Sequence, residues 1–366
     1  MTPGVRNEGI PISGKVHWST DQTCKILAHE GDMIKILWFL IFLFVLVAPP
    51  AHTQETTPLR LLQKIPMPDV QGRIDHFDVD LAGRRLFMSA LGNNTLEVFD
   101  LRTNKLIHTI RGLREPQGVT YAPKSHRIFV ANAGDGAVRI FDGRTYKLLK
   151  TIHFPSDADD TRYDPARRHV FVGYGDDGNA GLGILDGATG NLLETIKLPG
   201  HPESFQLEES GPRIFVNIPT AGNIIAVVNR RERKIVATWT LGGARDNFPM
   251  ALDEAHHCLF ITCRRPAEML VLDTRSGKII VRVPCVGDAD DMWYDAARKR
   301  IYISGGEGFI SVIEQEDVNR YRRIAQIPTV PGARTSCFVP RMNRLYLAVR
   351  RRGNHAAELR VYELQP

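Results

Sequence analysis

The sequence predicts an all-β fold, a seven-bladed β-propeller with four antiparallel strands in each blade. The first observation is a unit that occurs seven times, with an aromatic residue at one fixed place: Phe87, Phe129, Phe171, Phe215, Phe260, Tyr302 and Tyr346. The second is an acidic or amide residue that follows in step: Asp100, Asp142, Asp186, Asn229, Asp273, Glu314 and Glu363. Successive aromatics are 42, 42, 44, 45, 42 and 44 residues apart. A period in the low forties with about four short strands is typical of propeller blades.

The clearest copy of the unit runs from Ile128 to Ile152, IFVANAGDGAVRIFDGRTYKLLKTI. Its three apolar runs are rich in β-branched and aromatic residues, and a Gly-Asp-Gly and a Gly-Arg-Thr turn separate them. Such runs favour strands, and such breaks favour tight turns. Each copy therefore predicts strands joined by hairpins.

The strand that carries the aromatic marker resembles the repeat strand of the YVTN-type β-propellers, in particular the secreted, single-domain YncE-like proteins. It reads IFVAN at Ile128 to Asn132, and its relatives in the other copies are LFMSA, VFVGY, IFVNI, LFITC and IYISG. The resemblance covers the chain after residue 58. It implies a propeller that serves as a binding platform, and it transfers no catalytic motif.

The first 53 residues lie outside the repeat. Residues 1–32 are polar and aperiodic, and we interpret them as an over-extended gene start before Met33. Residues 33–53 predict a signal peptide, because Lys35 precedes an apolar run from Ile36 to Ala48 that small residues follow. We expect cleavage between about Ala51 and Glu55 and a secreted or periplasmic protein. The alternative is an uncleaved anchor, although the run is shorter than the roughly 20 residues that span a bilayer.

Residues 54–366 predict a single domain, since 313 residues divided among seven blades give about 45 for each blade. The seventh copy ends after its third strand, near Leu364. Leu59 to Ile65, LRLLQKI, resembles the outermost strands of the other copies. We therefore expect this N-terminal strand to close the last blade, which removes an open sheet edge at the seam.

The formal net charge is +6, and the first 53 residues contribute nothing to it. Many of the arginines recur at one repeat position, the turn before the marker strand, which spreads charge around the ring. A basic groove with interleaved aromatics is absent, so the sequence argues against a nucleic-acid partner. We expect a monomer without stable membrane insertion after cleavage, whose partner would be a protein, a peptide or an envelope polymer.

Four cysteines follow the predicted leader. Cys258 and Cys263 flank one short strand at an odd separation, so their side chains should point to opposite faces. A bridge between Cys263 and Cys285 and four buried thiols, including Cys337, are both compatible with the sequence.

The channel mouth is the predicted site, because the links into the innermost strands bring irregular residues to one common space. Counting back twelve residues from each marker gives a first ring: Asp75, Gln117, Asp159, Glu203, Phe248, Asp290 and Arg334. His76, Asp160 and Asp291 follow directly and form a second layer of ligand-binding candidates. Carboxylates at such positions also cap turns and line water-filled channels without a ligand.

Four carboxylates converging on one channel repel each other, and a bound cation would relieve the repulsion. The predicted metal ligands are Asp75, Asp159, Glu203 and Asp290, with Arg334 offsetting part of the charge. Oxygen ligands on separate loops favour Ca²⁺. An organic cation, or a substrate held between carboxylates and arginine, competes with the metal.

Three classes of function stay open on the sequence. The first is a secreted or periplasmic binding or scaffold protein that holds a ligand or partner at the central channel face. The second is a metal-assisted hydrolase, of lactonase or phosphoester hydrolase type, that uses the acidic ring. The third is a haem-binding propeller with His76 or His201 as axial ligand. No motif in the chain assigns a catalytic residue.

Overall fold

The computed structural model describes residues 57–176 and 178–366. The predicted gene start and signal peptide, residues 1–53, lie outside the described residues. The described residues build seven sheets, each of four antiparallel strands, and confirm the seven-bladed propeller. The first strand of each sheet contacts the first strands of both neighbouring sheets, and the contact between the last blade and the first closes the ring.

The first three blades use strands in chain order from the centre of the ring outward. The strands are β2 (Phe77–Asp80), β3 (Arg85–Ala90), β4 (Thr95–Asp100) and β5 (Lys105–Ile110); β6 (Pro116–Ala122), β7 (Arg127–Asn132), β8 (Ala137–Asp142) and β9 (Leu148–His153); β10 (Ala158–Asp164), β11 (His169–Tyr174), β12 (Ala180–Asp186) and β13 (Leu192–Leu198).

Blades four to six repeat this order, and blade seven has three strands of its own. The strands are β14 (Ser204–Leu207), β15 (Arg213–Ile218), β16 (Ile224–Asn229) and β17 (Lys234–Thr240); β18 (Arg245–Asp253), β19 (Cys258–Arg265), β20 (Ala267–Asp273) and β21 (Ile279–Pro284); β22 (Ala289–Asp295), β23 (Arg300–Gly305), β24 (Phe309–Asp317) and β25 (Arg320–Pro328); β26 (Ser336–Val339), β27 (Arg344–Val349) and β28 (Ala357–Leu364). Three single-turn 3-10 helices, Leu91–Asn93, Ala133–Asp135 and Pro340–Met342, interrupt the hairpins.

The fourth strand of blade seven comes from the start of the domain, as the sequence predicts. β1 (Leu59–Met67) pairs antiparallel with β28, from Leu59 opposite Leu364 to Met67 opposite Ala357. The strand runs two residues past the predicted end at Ile65. Pro66 fits there because β1 is the outermost strand, where a residue without an N–H group costs no interior ladder bond.

The marker aromatics hold neighbouring blades together. Seven apolar clusters occur among the described residues, and each lies between two successive blades. Phe87 packs with Tyr121 and Val130 of the next blade, and all seven markers are at most 1% exposed. A flat ring on the middle of each sheet fills the space between two blades, so the fold requires an aromatic once per blade.

The acidic markers shape the turn after the third strand. The Asp142 carboxylate accepts the N–H groups of Arg144 and Thr145 at 2.9 and 2.7 Å. Asp100, Asp186, Asn229 and Asp273 accept the equivalent bonds in their own blades. Such an Asx turn satisfies backbone donors that the hairpin leaves free. The two glutamates differ, since Glu314 and Glu363 pair with arginines instead.

Arg85 and Arg213, two of the repeated arginines, tie their blades to the next, which accounts for part of the basic excess without a polyanion partner. Arg85 pairs with Asp80 of its own blade at 2.7 Å and donates to the carbonyl of Gly143 in blade two. Arg213 does the same with Glu208 and the carbonyl of Thr274. The guanidinium fork reaches two acceptors at once, which the single ammonium of lysine does less well.

Cys258, Cys263, Cys285 and Cys337 are free, buried thiols. Cys258 packs between blades five and six and Cys263 between blades four and five, so the two side chains point to opposite faces as predicted. Burial raises the pKa of both Cys263 and Cys285 to about 12. Within residues 57–176 and 178–366, no helix has the length and apolar character needed to cross a membrane.

Candidate functional site

All seven residues of the predicted first ring line one cavity of about 510 Å³ at one end of the channel. Each of these residues lies near the start of the innermost strand of its blade, or one or two residues before that strand. The count from the marker aromatics therefore finds the correct register in every blade. His76 lines the same cavity.

The chain bends sharply just before the ring residues. In five blades the residue two positions earlier has a left-handed backbone: Glu115, Asp157, Asp246, Asp288 and Gly332. Asp157 and Asp288 belong to the two D-A-D-D strings, and a bulge follows each of them. A bulge re-aims the side chain next to it. Asp159 and Asp290 thereby line the channel mouth.

Gly118 sits where two innermost strands approach closely. A Cβ atom at this position would lie 2.2 Å from the carbonyl oxygen of Asp159, which no side chain permits. The glycine therefore lets blade two approach the backbone that carries Asp159.

One side of the cavity is a network of paired charges around Asp290. Arg264 donates to its Oδ1 at 2.6 Å, and Nε of Arg334 lies 2.7 Å from its Oδ2. Arg334 also donates to Asp288 at 2.7 Å. The Arg264 guanidinium stacks 3.6 Å from the centre of the Phe248 ring, a close cation–π contact. Both oxygens of Asp290 are occupied by arginines.

A second network surrounds His76. Its Nδ1 lies 3.4 Å from Oδ1 of Asp291 and its Nε2 lies 3.8 Å from Oδ1 of Asp75. Burial opposes a charged imidazolium, but the two carboxylates outweigh it and raise the pKa of His76 well above its ordinary value. Arg73 lies 3.3 Å from the other oxygen of Asp75.

The acidic side of the cavity is built by blades three and four. His201 Nε2 lies 3.3 Å from Oδ2 of Asp159, and its Nδ1 hydrogen-bonds the carbonyl oxygen of Gly175. Burial opposes the charged ring of His201, but the Asp159 carboxylate outweighs it and raises the pKa to about 10. Asp157 lies 3.8 Å from the same ring and adds to this effect.

Two carboxyl groups here lack the partners that the opposite side has. Burial raises the pKa of Asp159 to about 6, and Oδ1 of this side chain is buried with no hydrogen-bond partner among the described residues. Burial, and then the charge on Asp159, raise the pKa of Glu203 to about 7. Asp159, His201 and Glu203 each offer one ligand atom, and these atoms lie within 4.8 Å of one another.

The structure thus brings together eight of the ten predicted site residues: Asp75, His76, Gln117, Asp159, Glu203, Phe248, Asp290 and Arg334. The other two do not line the cavity. Asp160 binds the N–H of Thr161 and the Arg162 guanidinium, and Asp291 accepts the N–H of Ser336 at 2.7 Å. Both support the ring from behind.

Several lining residues are missing from the predicted ring. Arg73, Asp157 and His201 each stand two residues before a ring residue, and Arg264 stands four residues after the marker Phe260. The same two repeat offsets, counted in every blade, would have brought them to notice. The sequence suggests His201 as a haem ligand alone, and it does not indicate that this ring lies beside Asp159.

Comparison with known proteins shows the fold and nothing finer. No family model matches the chain, and no curated protein sequence matches it. Two similar solved structures are described as "Kuenenia stuttgartiensis Hydrazine Synthase" and "Crystal Structure of Mitotic Checkpoint Complex". The first has a TM-score of 0.68 and 15% identity over 76% of this chain and 94% of its own. The second has a TM-score of 0.70 and 12% identity over 94% of this chain and 100% of its own.

Proposed function

We propose that the protein is an exported binding propeller of the YVTN-repeat type, which holds a positively charged ligand or a positively charged group of a partner at its channel mouth. The solved structures with the same fold support a binding or scaffold role of the propeller. The proposal places that role at the one end of the channel where all seven blades contribute a side chain.

One observation carries the choice of a cation. Six carboxylates line the cavity against three arginines and two histidines. The arginines are matched on their own side, where Arg264 and Arg334 pair with Asp290, and Arg73 pairs with Asp75. On the acidic side, the ion pairs of Asp157 and Asp159 among the described residues are with His201 alone, and Glu203 forms none. Buried carboxylates in excess of their cations favour binding of a further cation.

Three further parts of the proposal are expectations from the sequence. The predicted signal peptide favours a location outside the cytoplasm, in a periplasm or in the medium. Arg85 and Arg213, two of the repeated arginines, bind acceptors in the next blade, which argues against their use in a basic surface for a nucleic acid. β1 pairs with β28 and so covers the strand edge that the last blade would otherwise expose, which is consistent with a monomeric ring.

The test is a thermal-unfolding series on the purified domain with Ca²⁺, 1,4-diaminobutane and sodium acetate as the anionic control. A bound cation should raise the midpoint of the wild type, since a ligand at one hundred times its Kd stabilises by about 2.7 kcal/mol. The Glu203→Gln variant should respond much less to the same cation. Glu316→Gln removes the same charge from the outer part of blade six and should respond like the wild type.

The proposal is wrong if no cation raises the midpoint. It is also wrong if Glu316→Gln loses the response as fully as Glu203→Gln, because the effect would then come from net charge and not from the channel mouth.

A second candidate function is metal-assisted hydrolysis of a lactone or a phosphoester. The observation in its favour is that the Asp159, His201 and Glu203 cluster shares a cavity with Arg264 and Arg334. A metal on the cluster could polarise a carbonyl or phosphoryl oxygen, and an arginine could stabilise the charge that develops. Hydrolysis of a lactone or phosphodiester panel that depends on both a divalent metal and Glu203 would establish it.

A further inference from the structure

We propose that Asp159, His201 and Glu203 form a mononuclear site for a divalent first-row transition metal such as Zn²⁺, Mn²⁺ or Co²⁺. This inference deepens the proposed function, because it names the class of cation that the acidic side of the channel mouth takes. It differs from the sequence-based expectation of Ca²⁺ on four carboxylates in both its ligand set and its metal.

The three side chains come from two adjacent blades, and their ligand atoms are close enough to share one ion. Asp159 lies near the start of β10, and His201 and Glu203 lie in the link from β13 to β14. The possible ligand atoms lie within 4.8 Å of one another. Metal–ligand bonds of about 2.0 to 2.2 Å separate two ligand atoms by at most twice that length, so small side-chain adjustments bring the three onto one ion.

The orientation of His201 is already that of a metal ligand. The carbonyl oxygen of Gly175 can only accept, so the hydrogen bond at Nδ1 places a proton on that nitrogen. Nε2 then points toward Asp159 at 3.3 Å, and a bound metal would displace the proton from this nitrogen. A backbone carbonyl that holds the second ring nitrogen is the usual arrangement around a metal-bound imidazole, since it fixes both the tautomer and the ring plane.

Asp159 supplies the second, independent observation. Its side chain is buried, and its Oδ1 has no hydrogen-bond partner among the described residues. A buried carboxylate oxygen without a partner is costly, and it is found where an ion or a water completes the site. Glu203 likewise makes no side-chain hydrogen bond or ion pair within the described part of the chain and lines the same cavity.

The donor set decides between metals. One imidazole with two carboxylates suits Zn²⁺, Mn²⁺ and Co²⁺, whereas Ca²⁺ takes six to eight oxygens. Of the other two predicted ligands, Asp290 has both oxygens held by Arg264 and Arg334, and Asp75 lies beside Arg73. A calcium shell would have to break these pairs. Three protein ligands leave at least one coordination position open to the cavity.

The experiment is calorimetric titration of chelator-treated wild-type protein with Zn²⁺, Mn²⁺ and Ca²⁺, together with Co²⁺ followed by its visible absorption. We expect one Zn²⁺ per chain and weaker binding of Ca²⁺. His201→Gln should weaken Zn²⁺ binding by at least about 100-fold, because loss of an outer partner alone costs 10- to 100-fold. His153→Gln, which removes an exposed histidine at the end of the outermost strand β9, should leave the affinity unchanged.

Glu203→Gln provides a second variant, because this side chain is only partly buried and its replacement should not disturb folding. It should also weaken Zn²⁺ binding, and both variants should change the Co²⁺ absorption that the wild type shows. The inference is overturned if Ca²⁺ binds as tightly as Zn²⁺, or if Zn²⁺ binding survives in His201→Gln and Glu203→Gln.

The outcomes separate this inference from the proposed function. Binding of 1,4-diaminobutane without any binding of Zn²⁺, Mn²⁺ or Co²⁺ would overturn the metal site and leave a cation-binding channel mouth. Failure of every cation to bind would overturn both.

Discussion

At the scale of single residues, Asp78 shows how the innermost strands carry polar groups that the ring residues do not use. Its carboxylate accepts the N–H of Val79 at 2.7 Å and the N–H of Tyr121 at 2.6 Å, which joins β2 to β6. Burial nevertheless raises the pKa of Asp78 to about 6. The folded protein therefore holds this proton more tightly than the unfolded chain does.

We predict that Asp78→Asn lowers stability near pH 4 and raises it near pH 8. The stabilising effect of the raised pKa is fully present below about pH 4 and is lost as the pH rises through about 6, which amounts to about 3 kcal/mol. The amide of the variant does not ionise, so it avoids this loss of stability. It has one acceptor oxygen where the carboxylate has two, so one of the two N–H hydrogen bonds is given up at a cost of about 1 kcal/mol. Urea unfolding at the two pH values measures the change of sign.

Asp142→Asn is the control for this experiment. Two turn N–H groups lower the pKa of Asp142, so its carboxylate stabilises the fold above its ordinary pKa and the substitution should bring no gain at pH 8. Parallel stability profiles for wild type and Asp78→Asn would contradict the assignment of a raised pKa.

The residues of the channel mouth divide into those that the sequence could predict and those that it could not. The seven ring residues share one offset from an aromatic that every blade needs for packing, so their position follows from the repeat. Arg264 pairs with Asp290, which lies 26 residues later in the sequence. The ring of His201 hydrogen-bonds the carbonyl oxygen of Gly175, which lies 26 residues earlier. Such pairings depend on how the side chains of neighbouring blades pack against each other. The repeat period does not predict that packing.

At the scale of elements, β1 is the strand on which the last blade depends. It covers the outer edge of β28, and Ile65 and Met67 are buried in the cluster between blades seven and one. The sequence predicted this strand because the seventh copy of the repeat lacks a fourth run. Its end at Met67 could not be predicted from the sequence. Proline lacks the N–H group that a strand needs when it pairs on both sides, so Pro66 indicates the end of a strand unless that strand lies at the edge of the sheet.

We predict that deletion of residues 54–66 lowers the thermal midpoint sharply and causes association. The deletion exposes the edge of β28 and part of an apolar cluster, and an unpaired edge is a template for another chain. Differential scanning calorimetry and light scattering report the two effects. Lys64→Ala changes an exposed side chain of the same strand and should leave both unchanged. A truncated protein that stays monodisperse with the wild-type midpoint would show that β1 is dispensable.

At the scale of the whole molecule, the fold needs no covalent link between blades. Each of the seven blade interfaces has its own apolar cluster, and the four cysteines are divided among those clusters as free thiols. Burial raises the pKa of Cys337 well above its ordinary value, as it does for Cys263 and Cys285. A buried thiol with a raised pKa carries almost no reactive thiolate.

We predict that the exported protein begins between about Ala51 and Glu55 and contains four thiols that react only after unfolding. N-terminal sequencing and thiol titration in denaturant test the two parts together. A reductant should not shift the thermal midpoint, because the four cysteines of the described residues are free thiols. A count of five thiols would mean that Cys24 is retained and that the leader is not removed, and a count of two would reveal a bridge.

The seam in blade seven also sets an order of events. Leu59 pairs with Leu364, so the first strand of the domain finds its partner only when the last one has been synthesised. A contact over such a separation closes a very long loop and belongs to the slow class of folding reactions. Until then the ring stays open and the chain is not locked into its final shape. Under the export that we propose, late closure would keep the polypeptide in a state that can still be translocated.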